Sequence, residues 1–250
     1  MARAPKQRAD QLVVARGLAA SRARAQALIM AGEVYAGTRR VAKAGEQLAG
    51  DVQLTLKGRD HPWVSRGGCK LAGALETFGV DPTGAVAADL GASTGGFTDV
   101  LLQRGAARVY AVDVGHGQLA WSLRQDPRVV VLERTNARYL TAEQVPEPLD
   151  LLVCDASFIG LETLLPAPLA LAGPGARLVA LIKPQFEVGR GQVGKGGVVR
   201  DPALHEAVCA RIRDWLDAQA GWAVRGLGRS PVAGPEGNVE FLVMAERDAG

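Results

Sequence analysis

One stretch constrains this chain more than any other: Asp89-Leu-Gly-Ala-Ser-Thr-Gly-Gly-Phe-Thr-Asp99. An apolar run from Ala85 to Ala88 leads into it, and Val100-Leu101-Leu102 and then Arg104-Gly105 follow. That order reads as a strand, a glycine-rich turn and a helix. Gly91, Gly95 and Gly96 let the backbone turn tightly and approach a ligand closely. Asp113 closes the next apolar run, Val109 to Val112, about twenty residues after the turn. A carboxylate in that place can take the two hydroxyls of a ribose. The glycine spacing is not the G-x-G-x-x-G of a dinucleotide fold.

Beyond this turn, strand and helix patterns alternate. Strands are expected at Val86–Leu90, Val109–Val114, Val129–Leu132, Leu149–Cys154 and Leu178–Ile182, with helices at Cys69–Phe78, Phe97–Gln103, Gly160–Ala172 and residues 203–219. Two closing strands, Trp222–Leu227 and Asn238–Ala245, complete the set, and the glycine-rich stretch 186–199 reads as a mobile loop. Such alternation implies a doubly wound, Rossmann-like α/β sheet with its ligand at the carboxyl ends of the strands.

The first 60 residues differ in kind. They carry eleven Lys or Arg against five Asp or Glu, whereas residues 61–250 carry eighteen against twenty-one. A basic module on a mildly acidic body suggests a polyanion grip. A helix is expected over residues 8–19, closing near Gly17. Ser21 caps a second, Arg22 to Met30, and small strands at Val34-Tyr35 and Asp51–Leu56 flank a turn at Gly37-Thr38. Arg22, Arg24, Arg39 and Arg40 are expected to share one face. Residues 1–60 are thus expected to form a small α+β domain, 61–64 a linker interrupted by Pro62, and 65–250 the large domain.

No apolar run approaches a membrane span, and the N-terminus has no signal-peptide core. Cys69, Cys154 and Cys209, like His61, His116 and His205, are scattered without ligand spacing. Neither a disulfide framework nor a metal site is expected, and a reducing cytoplasm is the default setting. Four charged residues stand at sheet positions that would bring them together: Lys70, Asp155, Lys183 and Glu240. Glu240, read as a charge inside an apolar strand, needs a partner.

Three resemblances follow from these residues. D-L-G-x-x-x-G-G-F resembles the cofactor turn of class I methyltransferases that use S-adenosylmethionine. R-x-D-x-L…G-L-x-x-S-R-x-x-A-x-x-L-I-x-x-G-x-V resembles the S4-type RNA-binding domain, with Ala9 where that family favours Leu and Ala36-Gly37 in place of Asn-Gly. The blocks S-R-G-G-x-K-L (65–71), D-L-G-A-S-T-G-G-F-T-D (89–99), D-x-S-F-I (155–159), L-I-K-P-Q-F-E (181–187) and N-x-E-F (238–241) together resemble the TlyA family. That family joins an S4-type domain to an FtsJ-like 2′-O-methyltransferase domain.

The resemblance implies methylation of cytidine ribose in ribosomal RNA, 16S, 23S or both, with S-adenosylmethionine as cofactor and ribosomal subunits as partners. A monomer without metal or membrane attachment is expected. It also implies a Lys-Asp-Lys-Glu tetrad of Lys70, Asp155, Lys183 and Glu240. Lys183 is the expected general base, made easier to deprotonate by a neighbouring Lys70 ammonium and partial burial. Asp155 would orient it and face the sulfonium, and Glu240 would hold Lys70 or the hydroxyl. Asp89, Gly91, Ser93, Gly95, Asp113 and Asn136 are expected to hold the cofactor. Arg8, Arg22, Arg24, Arg39, Arg40, Arg66, Arg134 and Arg190 would contact RNA, and Phe158 would stack on a flipped base. The linker departs from the family's Arg-x-Trp-Val, reading His61-Pro-Trp-Val64, with Arg59 a candidate substitute.

Two alternatives belong to other classes: a membrane-active haemolysin, a label this family carries, and a non-catalytic RNA-binding protein. A decoy also needs dismissing. Gly189-Arg-Gly-Gln-Val-Gly-Lys195 starts like a phosphate-binding loop, but Gly196 replaces the Ser or Thr that would hold magnesium.

Overall fold

The computed structural model describes residues 5–19, 21–56 and 61–250, and its contacts divide into two compact units, Met1–Pro62 and Trp63–Gly250. In the first unit β1 (Lys6–Arg8), α1 (Ala9–Ala15), α2 (Arg22–Met30), β2 (Val34–Ala36), β3 (Arg39–Arg40), β4 (Gln47–Ala49) and β5 (Leu54–Leu56) follow in order. β2 pairs antiparallel with β3 and β5, and β1 with β4. β1 is unexpected, because Lys-Gln-Arg carries no apolar alternation. α1 ends sooner than expected, before Gly17, whose left-handed φ of 71° turns the chain. Ser21 caps α2 by accepting a hydrogen bond from the Arg24 amide.

Asp10 is the polar centre of this unit. Its carboxylate is fully buried and accepts hydrogen bonds from Arg8 Nε (3.0 Å), Arg22 (3.0 Å) and Gln26 Nε2 (3.0 Å). These donors, Arg8 foremost, hold its carboxyl well below the usual range. Two of the expected RNA contacts, Arg8 and Arg22, are therefore ion-paired inside the unit, and Arg39 pairs with Glu46. Arg24 and Arg40 have no ion pair among the described residues. Arg22 and Arg24, two positions apart on α2, project about 200° apart, so the expected single face does not include both.

The second unit contains α3 (Gly67–Phe78), β6 (Val86–Leu90), α4 (Gly96–Gln103), β7 (Arg108–Val112), α5 (Trp121–Arg124), β8 (Val129–Leu132), β9 (Leu149–Cys154), α6 (Leu161–Leu164), α7 (Pro166–Ala170), β10 (Ala172–Ile182), α8 (Pro184–Glu187), α9 (Pro202–Asp217), β11 (Trp222–Arg229) and β12 (Phe241–Arg247). The sheet runs β11-β12-β10-β9-β6-β7-β8, parallel from β10 to β8 and antiparallel at the β12 pairings. Consecutive residues serve opposite faces, as a period of two requires. Ala88, Leu152 and Leu178 meet α6, α7 and α9, while Ala87, Leu151 and Val179 meet α3 and α4.

Four expectations change here. The helix placed at Gly160–Ala172 is two short helices, with Pro166 starting the second, and β10 already begins at Ala172. Glu240 lies just before β12 rather than inside it. The stretch 186–199 is anchored: Val198 and Val199 are buried, and the Val199 amide donates to Asn238 Oδ1 at 3.2 Å. Trp63 and Val64, expected in the linker, belong to the second unit. The Trp63 ring lies where a side chain at Gly68 would stand, and the Val64 amide donates to Asp99 Oδ2 at 2.7 Å. Arg59 lies outside the described residues.

Replacing Asp10 with Ala leaves Arg8 and Arg22 without their shared acceptor and should cost about 2 kcal/mol, seen as faster hydrogen exchange in α1 and α2. Because the Asp10 carboxyl sits below its ordinary value, its stabilisation is complete above about pH 4 and disappears as the pH falls further.

Candidate active site

The carboxyl ends of three parallel strands and the start of the antiparallel one converge. Leu90 of β6 pairs with Cys154 of β9, and Cys154 with Ala180 of β10. Ile182, the last residue of β10, stands opposite Phe241, the first of β12. The residues just beyond these ends therefore become neighbours: Gly91, Asp155, Lys183 and Glu240. α3 adds Lys70 from its buried face, alongside Leu71, Ala74 and Leu75.

The result is a chain of alternating charge. Lys183 Nζ lies 2.6 Å from Asp155 Oδ1, Lys70 Nζ 3.6 Å from Asp155 Oδ2, and Lys70 Nζ donates to Glu240 Oε2 at 2.6 Å. Lys70, Lys183 and Glu240 are all buried. Lys183 also donates to the Asp155 carbonyl oxygen (3.1 Å) and to Ser157 Oγ (3.0 Å). The two ammonium groups thus occupy the two oxygens of one carboxylate instead of facing each other. Glu240 holds Lys70, one of its two expected roles.

All four residues line one cavity of about 790 Å³. Asp89, Gly91, Ser93, Arg66 and Phe158 line it too, whereas Gly95, Asp113, Asn136 and Arg134 do not. Gly91 has a φ of 88°, and a Cβ there would stand 2.9 Å from Ala156 Cα, so only glycine lets the turn pass this close to β9. Gly95 makes room for Leu119 and Leu123 instead. Asp113 acts through the turn: its Oδ2 accepts the Ser93 amide (2.8 Å) and its Oδ1 the Gly115 amide (2.6 Å). Asn136 caps a short turn by accepting the Arg138 amide. Arg134 and Arg66 are exposed; the Arg190 side chain lies outside the described residues.

Asp89 is fully buried. Its Oδ2 accepts both the amide (2.9 Å) and the hydroxyl (2.7 Å) of Thr98, while Oδ1 has no hydrogen-bond partner among the described residues. Burial pushes this carboxyl up to about 7. Phe158 is 91% exposed with a left-handed φ of 66°, and its ring centroid lies 5.0 Å from that of Phe186. Sequence reasoning passed over Thr98, Ser157 and Phe186. Each sits inside a quoted block, but only the fold reveals what it touches.

This sheet, with a glycine turn after β6 and a carboxylate after β7, has the architecture of a class I methyltransferase. The solved structure of an S-adenosylmethionine-dependent methyltransferase from Listeria monocytogenes shares the fold at a TM-score of 0.54 and 14% identity, over 74% of this chain and all of that one. The model of the FtsJ-like methyltransferase family matches residues 63–247 and that of the S4 domain residues 7–54, so the chain belongs to the FtsJ-like methyltransferase family and carries an S4 domain ahead of it.

Relatives match across both parts. The 16S/23S rRNA (cytidine-2′-O)-methyltransferase TlyA of Mycobacterium tuberculosis is 51% identical over 96% of this chain and 90% of its own length. Hemolysin A of Brachyspira hyodysenteriae is 38% identical over 94% and 98%. A solved Streptococcus thermophilus protein described as a hemolysin has 43% identity and a TM-score of 0.74, over 98% of this chain and 89% of that one.

Asp89 supplies a pH test. A carboxyl raised to about 7 contributes stability that is complete below the ordinary carboxylate range and is lost as the pH rises through 7. The melting temperature should therefore fall between about pH 4 and 7, and level off above that, relative to an Asp89→Asn variant, whose amide oxygen can still accept from Thr98. Parallel thermal melts across that range check it.

Proposed function

We propose that this chain transfers a methyl group from S-adenosylmethionine to the ribose 2′-oxygen of cytidine in ribosomal RNA, in the small subunit, the large subunit or both. The observation that carries the reading is the paired chain Lys183–Asp155–Lys70–Glu240 at the mouth of the glycine turn. Two amines and two carboxylates in one cavity suit proton removal from a poorly acidic hydroxyl.

The residues present fit the cofactor. Gly91 lets the turn pack against Ala156 at the cavity wall, and Asp89 Oδ1 is an orphaned acceptor among the described residues lining the cavity, suited to an ammonium donor. Gly91, Ser93 and Asp89 would hold S-adenosylmethionine, with Asp113 fixing the turn that carries Ser93. When bound, it supplies a sulfonium methyl group that is already electrophilic. The protein's share is then alignment and proton removal. Lys183 takes the ribose proton. Asp155 fixes Lys183 and, with Glu240, holds Lys70 beside it. Phe158, displayed next to Phe186, offers a face on which an extruded base stacks.

The S4 domain grips RNA through phosphates, with Arg24 and Arg40 unpaired among the described residues and Arg8, Arg22 and Arg39 partly engaged by carboxylates. Arg66 and Arg134 would extend that contact on the methyltransferase domain, with Arg190 as a further candidate. A cytoplasmic setting follows from such a substrate.

Beyond the hemolysin names of relatives, nothing among the described residues favours the haemolysin reading. Among the described residues no helix is long and apolar enough to cross a membrane. The apolar face of α9, with Val208, Ile212 and Leu216, is spent on the sheet. A non-catalytic RNA binder would have no use for the intact tetrad.

Transfer of tritiated methyl from S-adenosylmethionine to intact 30S and 50S subunits, followed by mapping of ribose methylation, tests the proposal. Lys183→Ala should lower the rate at least about 100-fold while S-adenosylmethionine binding persists. Unchanged turnover in that variant would sink the base assignment. Charge reversal at both Arg24 and Arg40 should weaken subunit binding and make its salt dependence shallower by about 2 in log–log slope, read from filter binding across a salt series.

A further inference from the structure

We propose that Ser157 is the relay through which the proton of the ribose 2′-hydroxyl reaches Lys183, a step that rests on Lys183 being the base. An ammonium group has three N–H bonds. In this structure two of them donate in hydrogen bonds, to the Asp155 carbonyl at 3.1 Å and to Ser157 Oγ at 3.0 Å, while the ammonium makes an ion-pair contact with Asp155 Oδ1 at 2.6 Å. A base must exist as the neutral amine, with two N–H bonds and one lone pair. The carboxylate and the carbonyl can only accept, so the two remaining N–H bonds are drawn toward that side, one by the hydrogen bond to the carbonyl and one by the carboxylate charge. The lone pair then faces the third partner. Ser157 alone among the three can reverse its role, because a hydroxyl both donates and accepts.

The placement suits the task. Lys183 is 6% exposed, whereas Ser157 is exposed and lines the cavity, one residue before Phe158. The left-handed backbone at Phe158 is a costly conformation for an aromatic residue. It turns the chain directly after Ser157, so the hydroxyl and the exposed ring are set by the same bend.

The proton balance is complete. The O2′–H bond breaks as a new O–H bond forms on Ser157. The original Ser157 O–H bond breaks as an N–H bond forms on Lys183, which becomes an ammonium. The electron pair left on the ribose oxygen forms the new bond to the methyl carbon, and the departing sulfur keeps the pair of the old one. No other reactant is needed.

Single-turnover methylation of purified 30S and 50S subunits, in water and in mixtures with heavy water, compares the wild-type, Ser157→Ala, Ser157→Thr and Lys183→Ala proteins. The relay predicts a rate about 100-fold lower in Ser157→Ala, with subunit and S-adenosylmethionine affinities unchanged, and most of the rate restored in Ser157→Thr. It also predicts that the wild-type rate bends against the deuterium fraction, as two moving protons require. In the free protein, the Lys183 ¹⁵Nζ resonance should shift in Ser157→Ala and return in Ser157→Thr. A Ser157→Ala rate within about threefold of wild type, beside an inactive Lys183→Ala, overturns the relay and leaves Lys183 acting directly. A loss confined to subunit affinity overturns it in favour of a binding contact. An active Lys183→Ala removes the base assignment itself, whatever Ser157 does.

Discussion

Everything at this site depends on taking four charges out of water without leaving one alone. Lys183, Asp155, Lys70 and Glu240 meet this by alternation, each ammonium against a carboxylate at distances from 2.6 to 3.6 Å. Removing a partner from such a buried set costs about 3–5 kcal/mol, because the survivor stays unpaired. The tetrad therefore binds together the elements that carry it: α3, the ends of β9 and β10, and the approach to β12. In the proposed reaction the same pairing serves the chemistry, since amines held in fixed places by carboxylates can receive a proton along a defined line.

The sheet makes this gathering possible. Parallel strands align their carboxyl ends, so Gly91, Asp155 and Lys183 arrive from three strands at one rim. A fourth parallel strand would have sent its leading residues to the opposite rim. The antiparallel pairing of β12 with β10 returns Glu240 to the working side. The basic N-terminal unit solves a smaller version of the same problem around Asp10. There the internal ion pairs leave fewer free cations than the count of Arg suggests.

Much of the fold was legible because its strands are apolar runs bounded by turn residues. β6, β8 and β9 fall on the residues expected. β1 was not legible, since three polar residues form a strand only because β4 lies alongside. The helix written across Pro166 failed because an apolar run in an α/β chain suits a helix or a buried strand equally well, and β10 claimed its end. For the site, the quoted blocks place Lys70, Asp155, Lys183 and Glu240 in one cavity. Asn136 and Asp113 lie outside its wall, because a carboxylate or amide near a strand end can serve a turn as readily as a ligand. Which oxygen faces which nitrogen is a matter of side-chain geometry, invisible to spacing.

The tie between Lys70 and Glu240 spans 170 residues of sequence. Protein synthesis delivers those two halves at very different moments. A nascent chain can complete the glycine turn and most of the parallel sheet while Lys70 still lacks Glu240, its nearer carboxylate. The hairpin of β11 and β12 supplies it only after the parallel strands have emerged. Activity is thus tied to completeness: a chain truncated before its final strands keeps the S4 domain and the glycine turn yet lacks one corner of the charge chain.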